Sequence, residues 1–449
     1  MVARRTGGTE VAKRSHKIIR GVAAILVYGT YRTVELRRPE ADLSQRPVII
    51  VANHFAGFAD PVLMMYGLQR RPRFLAKATL WSNPVVGKLL DLLGVLPIAR
   101  AVDGSTESNI DTFAACHEAL RNREVIALFP EGTTHDQASI ADIRTGAARI
   151  ALGARASGAT GVVIVPVGIH YEDKAGWRSR IYAQVGDPID LDGDLLLYVE
   201  DGTPPDDTNR EAVRRLTADT EARLRTVSPD YSTEAEWDAL GAAAEVALRA
   251  RLFDPSTPVS FGEREELADR LRSAPPTARE AVQDAVSNYR VVLAAYRLRD
   301  TAVASYSRMG GALPDYTARS FLGALALAPT ALVGLAANAV PIAIMTALRK
   351  NLNVEPVTMA TVRSLAAPVL YGGTWTVWSS VLQRRIRYGR TIAWLSGIVG
   401  GWALVLAFER MAIVREGLDG WRRMGDLGPN DEVTAARRAL LDAVEAAVG

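Results

Sequence analysis

Two short segments, each following an apolar run, hold side chains suited to moving a proton beside a carbonyl group. The first is Val51-Ala-Asn-His-Phe-Ala-Gly-Phe-Ala-Asp-Pro61 and the second is Leu128-Phe-Pro-Glu-Gly-Thr-Thr-His-Asp136. In the first, Asn53 and His54 leave the C-terminal end of the run 47–52, and Gly57 permits a tight loop. Asp60 followed by Pro61 suits the N-cap and first position of a helix reaching Tyr66. An imidazole and a carboxylate then face each other across one loop. A carboxylate that holds one ring nitrogen as a donor leaves the other free to take a proton from an alcohol attacking an acyl carbonyl. His54 and Asp60 thus predict a general-base pair. The alternative is that Asp60 is only a helix cap and His54 an ordinary loop histidine.

The second segment ends another apolar run in the same way. In an open parallel sheet, ligand sites gather at the carboxyl ends of strands, so His54 and Glu131 are expected to line one crevice. Glu131 is a candidate acceptor for substrate hydroxyls. Gly132, with Thr133 and the amides that follow, allows close approach to a phosphate or thioester. A turn chosen only for its backbone shape is the competing reading of Pro-Glu-Gly.

The elements that must position these residues follow from hydrophobic patterning. Runs 47–52, 125–129 and 162–169 are continuous, apolar and rich in β-branched residues, as suits strands buried on both faces. Shorter strand candidates are 73–76, 95–99 and 181–185. Residues 105–122 offer a capping Ser105, then Ile110, Phe113, His117 and Leu120 at helical spacing. Strand, helix, strand in succession predicts an α/β fold with a largely parallel sheet.

Beyond the sheet the character changes. Residues 200–210 are rich in Pro, Asp and Thr and predict a linker or surface loop; 211–307 is polar and helical in pattern, with breaks at prolines. Residues 320–348 carry no charge and exceed what a ~30 Å hydrocarbon core requires of a helix. Pro329, Asn338 and Pro341 within it allow a kinked span or a re-entrant hairpin. Runs 364–382 and 391–408 are also uncharged and are expected to form a helical pair, with Trp375, Trp378, Trp394 and Trp402 near their ends. The basic loop 383–390 between them belongs on the cytoplasmic side by its arginines, yet Arg349 and Arg363 argue the same for the preceding loop. Both cannot hold if 364–382 spans once. The cationic N-terminus precedes a short apolar run and reads as a helix, either plain or lying on a membrane surface.

Composition narrows the classes. A net charge of +3 calls for no nucleic-acid partner. One cysteine, Cys116, excludes an internal disulfide and a cysteine-based zinc site. There is no Gly-x-Ser-x-Gly elbow, which disfavours a serine hydrolase. A catalytically inert membrane adaptor or transporter component is a rival class, although the apolar runs hold no Asp, Glu, Lys or Arg to mark a transport path.

Four blocks in order resemble the glycerol-3-phosphate and lysophosphatidate acyltransferases: Asn53-His54 with Asp60, Gly94-Val-Leu-Pro-Ile-Ala-Arg100, Phe129-Pro-Glu-Gly-Thr133 and Val165-Pro-Val-Gly168. The likeness covers roughly residues 20–190, and residues 327–338 are similar to the tails of one membrane-anchored branch. The resemblance implies His54 as base, Asp60 as its orienting partner, and Arg100, Glu131 and Gly132 as acceptor-binding groups. A guanidinium fork suits phosphate oxygens, and Lys77 is a second phosphate candidate. Arg178 and Arg180 are weaker candidates that could simply face lipid head groups. Five residues separate His54 from Asp60, where four is commoner in the family; the tailed branch shares the longer spacing. Thr134-His135-Asp136 stands where many members have Arg-Ser, which opens the acceptor to other lipid alcohols. Implied partners are membrane lipids, a phosphorylated glycerol acceptor and acyl-CoA or acyl carrier protein as co-substrate, with no cofactor. The expected order is a membrane-proximal helix (1–45), an acyltransferase domain (46–199) on the cytoplasmic face, a linker and helical insert (200–319), membrane segments (320–410) and a polar helical tail (411–449).

Overall fold

The structure is a computed structural model that describes residues 5–38, 42–99, 109–135, 137–174, 176, 178–198, 204–309, 314–351, 356–428 and 430–449. Arg100, Ser105 and Asp136 lie outside these. Two compact units are present: Met1–Thr233 with Pro356–Thr361, and Glu234–Glu355 with Val362–Gly449.

The first unit is built on one eight-stranded sheet. Its strands are β1 (Thr33–Arg37), β2 (Val48–Ala52), β3 (Pro72–Lys77), β4 (Leu96–Ile98), β5 (Val125–Leu128), β6 (Val163–Tyr171), β7 (Arg180–Val185) and β8 (Ile189–Asp190). The order is β1-β7-β6-β2-β5-β3-β4, with β8 beside β6. Pairing is parallel except where β6 meets β7 and β8. The α/β reading holds. The six expected strands appear, while β1 and β8 are additions: Thr-Val-Glu-Leu-Arg alternates at a sheet edge, and two residues give no periodicity to read.

Helices α1 (Arg5–Thr30), α2 (Ala59–Gly67), α3 (Pro84–Leu92), α4 (Asn109–Arg121), α5 (Gly146–Ala156), α6 (Leu191–Asp194) and α7 (Arg210–Val227) accompany the sheet. Successive strand side chains point to opposite faces. In β2, Val48, Ile50 and Ala52 therefore join a core with Ala23, Val27, Leu63, Phe74 and Val165. Ile49 and Val51 join another with Leu120, Ile126, Ile150, Leu152 and Leu216. The continuous apolar run of β2 is required because both of its faces are covered.

The first unit reaches Thr233 instead of stopping at residue 199. Helix α7 buries Ala212, Val213, Leu216, Leu224 and Val227 along one face, and His170 of β6 bonds to the Val227 carbonyl at 2.8 Å. Residues 204–209, the described part of the Pro- and Asp-rich stretch, thus lie within the unit as a connection into α7.

The second unit is helical: α8 (Glu234–Arg251), α9 (Phe261–Arg272), α10 (Pro276–Ala295), α11 (Asp300–Met309), α12 (Asp315–Asn351), α13 (Pro356–Gln383), α14 (Gly389–Leu427) and α15 (Asp431–Val448). Asp300 opens α11 and ties its neighbours together. Its carboxylate accepts from Tyr289 of α10 at 2.9 Å and Arg437 of α15 at 2.7 Å, and pairs with Arg249 of α8 at 3.1 Å. Among the described residues, two helices are long and apolar enough to cross a membrane, within Asp315–Leu348 and Gly389–Leu427. The run 364–382 lies in α13 and is not one of them. The run meets 391–408 through Trp375, which packs on Trp394 with centroids 5.4 Å apart and against Gly397, and the more extensive packing is the antiparallel one of α12 on α14. Gly334 packs against the Gly400 backbone, Gly323 leaves room for Arg410, and Gly417 meets Thr317.

Removing one member of a buried charge cluster strands the others. Asp300→Ala, which leaves Arg249 and Arg437 without their shared carboxylate, is expected to lower stability by about 3–5 kcal/mol in denaturant unfolding.

Candidate active site

The chain leaves β2 at Asn53, whose fully buried carboxamide extends the strand pairing by one step. Its Nδ2 donates to the Ile169 carbonyl at 2.9 Å, and the Ile169 amide donates to its Oδ1 at 2.7 Å. That double bond to β6 fixes where His54 emerges. The His54 ring stacks on Phe129 with centroids 4.1 Å apart and planes 14° from parallel. Its side chain is 18% exposed.

Asp60 is 0% exposed. Its Oδ2 lies 2.8 Å from His54 Nδ1 and accepts the Ala56 amide at 2.9 Å. Oδ1 accepts the Tyr171 hydroxyl at 2.5 Å. Burial, and then the Asp60 charge, hold the Tyr171 phenol well above the ordinary tyrosine range, so it stays a donor. An ionised carboxylate only accepts, which makes Nδ1 the protonated ring nitrogen and leaves Nε2 with a free lone pair.

Asp60 does not cap its helix. Helix α2 begins at Ala59, and Phe58 is the cap residue with no side-chain bond. Asp60 instead sits in the first turn and folds back over the loop. Gly57 at φ +55° and the turn closed by Ala59 N–H to Ala56 O take up the five intervening residues. The cap-only alternative is therefore overturned.

Parallel register brings the second segment to the same edge: Val51 pairs with Leu128 in β5 and with Pro166 in β6. Glu131 is 3% exposed. Its Oε1 accepts the His54 amide at 2.7 Å, and its Oε2 accepts the Ala141 amide at 2.8 Å and meets His135 Nε2. The carboxylate thus braces the His54 backbone, a different task from the expected reception of substrate hydroxyls. Gly132 has φ +71°, and a side chain there would run into Arg144, whose Nε donates to the Glu131 carbonyl at 3.4 Å. Thr133 is exposed beside it.

Lys77 ends β3, three residues past the Phe74–Ala127 pair, and so reaches the same edge. Arg178 and Arg180 do not face outward as suggested. Arg178 donates to the carbonyls of Tyr28 at 2.5 Å and Tyr31 at 2.9 Å, and Arg180 pairs with Glu172 at 2.8 Å. Both arginines fasten chain segments together. Sequence reasoning missed Tyr171, which lies far from Asp60 along the chain. It also passed over His135 as a partner of Glu131, a contact made within a non-helical loop where spacing gives no signal.

Residues 32–170, which contain His54, Asp60, Lys77, Phe129, Glu131 and His135 and stop one residue short of Tyr171, match the family model described as Acyltransferase. This segment is an acyltransferase domain. The chain is 36% identical over 129 residues to glycerol-3-phosphate O-acyltransferase 2 of Saccharomyces cerevisiae, covering 28% of this chain and 17% of that protein. It is 28% identical over 155 residues to the chloroplastic 1-acyl-sn-glycerol-3-phosphate acyltransferase BAT2 of Brassica napus, covering 34% and 42%. The crystal structure of the 1-acyl-sn-glycerophosphate acyltransferase of Thermotoga maritima superposes with a TM-score of 0.33 at 21% identity, over 49% of this chain and 85% of that one. The chain thus spans less than half the length of the two curated relatives, and the shared part is the acyltransferase domain.

Cys116 is fully buried in α4, and burial pushes its thiol up to about 12. It should resist a thiol reagent in the native protein, with no rise in labelling rate between about pH 7 and 9, and react only on unfolding. Tyr171→Phe removes the donor to a fully buried carboxylate oxygen. A stability loss of about 1–3 kcal/mol in urea titration is expected.

Proposed function

We propose that this protein transfers a fatty acyl group from acyl-CoA or acyl carrier protein to the hydroxyl of glycerol 3-phosphate or lysophosphatidate in glycerolipid synthesis. The observation that carries this reading is the His54–Asp60 pair, with Nδ1 held at 2.8 Å and Nε2 without a hydrogen-bond partner among the described residues, inside a segment that matches the acyltransferase family. Nε2 takes the acceptor hydroxyl proton as the oxygen attacks the thioester carbonyl. The carbon–sulfur bond then breaks, and the departing thiolate recovers the proton from His54. No covalent acyl-enzyme is required.

In this mechanism Asp60 orients the ring and stabilises the imidazolium that forms. Glu131 positions His54 through its backbone amide. Arg100 and Lys77 hold the acceptor phosphate, and the Gly132–Thr133 backbone approaches phosphate or thioester oxygen. The catalytic unit works on the cytoplasmic face of a membrane, where both acyl donors are found, and the apolar helices keep the protein at the bilayer that receives its product. Thr134-His135 in place of the commoner Arg-Ser supports a second reading, in which the acceptor is another lipid alcohol.

Purified protein offered glycerol 3-phosphate and lysophosphatidate in parallel, each with both acyl donors, should yield the acylated product identifiable by mass. His54→Ala should lower turnover by roughly 10²–10⁴-fold with folding intact. Full activity in that variant would exclude the general-base role. An unacylated mixture in every combination would exclude the glycerolipid reading.

A further inference from the structure

The second unit carries an unneutralised cationic tip for which the acyl-transfer chemistry has no use. From residue 356 to residue 408 the sequence contains no Asp or Glu, while Arg384, Arg385, Arg387 and Arg390 fall within the turn between α13 and the first residues of α14. All four are exposed. None of them pairs with a carboxylate among the described residues. Several arginines elsewhere in this unit are matched, among them Arg249 and Arg437 with Asp300, Arg290 with Asp238 and Arg299 with Glu416.

The turn itself is ordered. Gln383 receives the Arg390 amide at 3.3 Å and donates to the Arg387 carbonyl at 3.4 Å. Gly389 packs so closely on the Leu382 backbone that no side chain would fit. Arg387 lies over the Tyr388 ring at 5.4 Å, and Ile386 and Tyr388 are 43% and 62% exposed. The arginines, two outward apolar side chains and the positive end of the α14 dipole thus share one short surface.

The packing of α12 on α14 shows where that surface lies. Thr317 meets Gly417, Gly323 meets Arg410, Gly334 meets Gly400, and Asn338 donates to the Gly397 carbonyl at 3.1 Å. The helices are antiparallel. In the same register, the last turn of α12, holding Arg349 and Lys350, arrives at the end where α14 begins. One end of the apolar pair is therefore rich in arginine and lysine. The other mixes Asp315, Arg319, Glu409, Arg410, Arg415 and Glu416.

We infer that the 383–390 turn is a binding surface for the phosphate groups of anionic phospholipids, at the bilayer boundary where the apolar pair ends. Guanidinium forks match phosphate oxygens, and a polybasic segment beside a membrane helix gains about fivefold in affinity per cation from an anionic leaflet. Ile386 and Tyr388 supply the apolar and interfacial contacts that free phosphate would not use. The inference rests on α12 and α14 residing in a membrane, and it is independent of the acyl-transfer step.

The test uses full-length protein reconstituted into phosphatidylcholine vesicles containing a minority of phosphatidylglycerol. Lipid-preserving polymer discs are then cut around the protein, and head groups are counted by mass spectrometry. Discs of the wild type should be several-fold enriched in phosphatidylglycerol over the bulk, with enrichment falling at high salt. The variant R384Q/R385Q/R387Q/R390Q should return to the bulk ratio, whereas R422Q/R423Q, at the opposite end of α14, should not. Circular dichroism and thermal unfolding check that each variant is folded. The reconstituted vesicles are also floated on a density gradient: wild-type protein that floats without enrichment overturns the inference while leaving the membrane reading intact, and protein that does not float overturns both. Equal loss in the two variants, or tip-dependent retention of double-stranded DNA without lipid enrichment, also overturns it.

Discussion

A carboxylate removed entirely from water must be surrounded by donors, and the first unit is organised around that demand. Asp60 is held by an imidazole from the β2 exit, an amide from the intervening loop and a phenol from the end of β6. Each donor comes from a differently positioned part of the chain. The loop geometry, the reach of β6 and the tautomer of His54 are therefore set together. An Asp60 free to move or to meet water would orient the ring less well, so the desolvation that makes the site costly also makes it directional.

Glu131 solves a related problem at the same sheet edge. It too is buried, but it holds main-chain amides from two loops, those of His54 and Ala141, and contacts His135. The two acids thus divide the labour: one orients the ring of His54 and the other its backbone. Phe129 completes the arrangement by stacking on the imidazole. The parallel pairing of β2 with β5 is what puts both segments at one level, and the Asn53 link to Ile169 carries the alignment across to β6.

In the second unit polar groups have a comparable ordering role within apolar surroundings. Asn338 is almost fully buried, donates to the Gly334 and Gly397 carbonyls and accepts from the Trp375 indole at 2.9 Å. With glycines facing one another at Gly334 and Gly400, the backbones of α12 and α14 approach closely, as small residues allow in membrane helix pairs. One carboxamide thereby fixes a register that apolar side chains alone leave loosely specified.

Hydrophobic pattern by itself determined the α/β class, six of the eight strands, the apolar helices and the two segments bearing His54, Asp60 and Glu131, because periodicity and strand-end placement are local properties of the chain. The single cysteine, Cys116, excluded an internal disulfide and a cysteine-based zinc site. What pattern and composition left open were matters of distance. Whether Asp60 caps a helix or faces His54 depends on contacts that include the Tyr171 hydroxyl, more than a hundred residues away. The part played by Glu131 depends on which amides crowd it. The domain edge at Thr233 depends on α7 finding the sheet, and the gathering of cations at one end depends on the antiparallel fit of α12 and α14. Those outcomes arise from contacts between remote segments, and composition and spacing carry no record of them until the chain has folded.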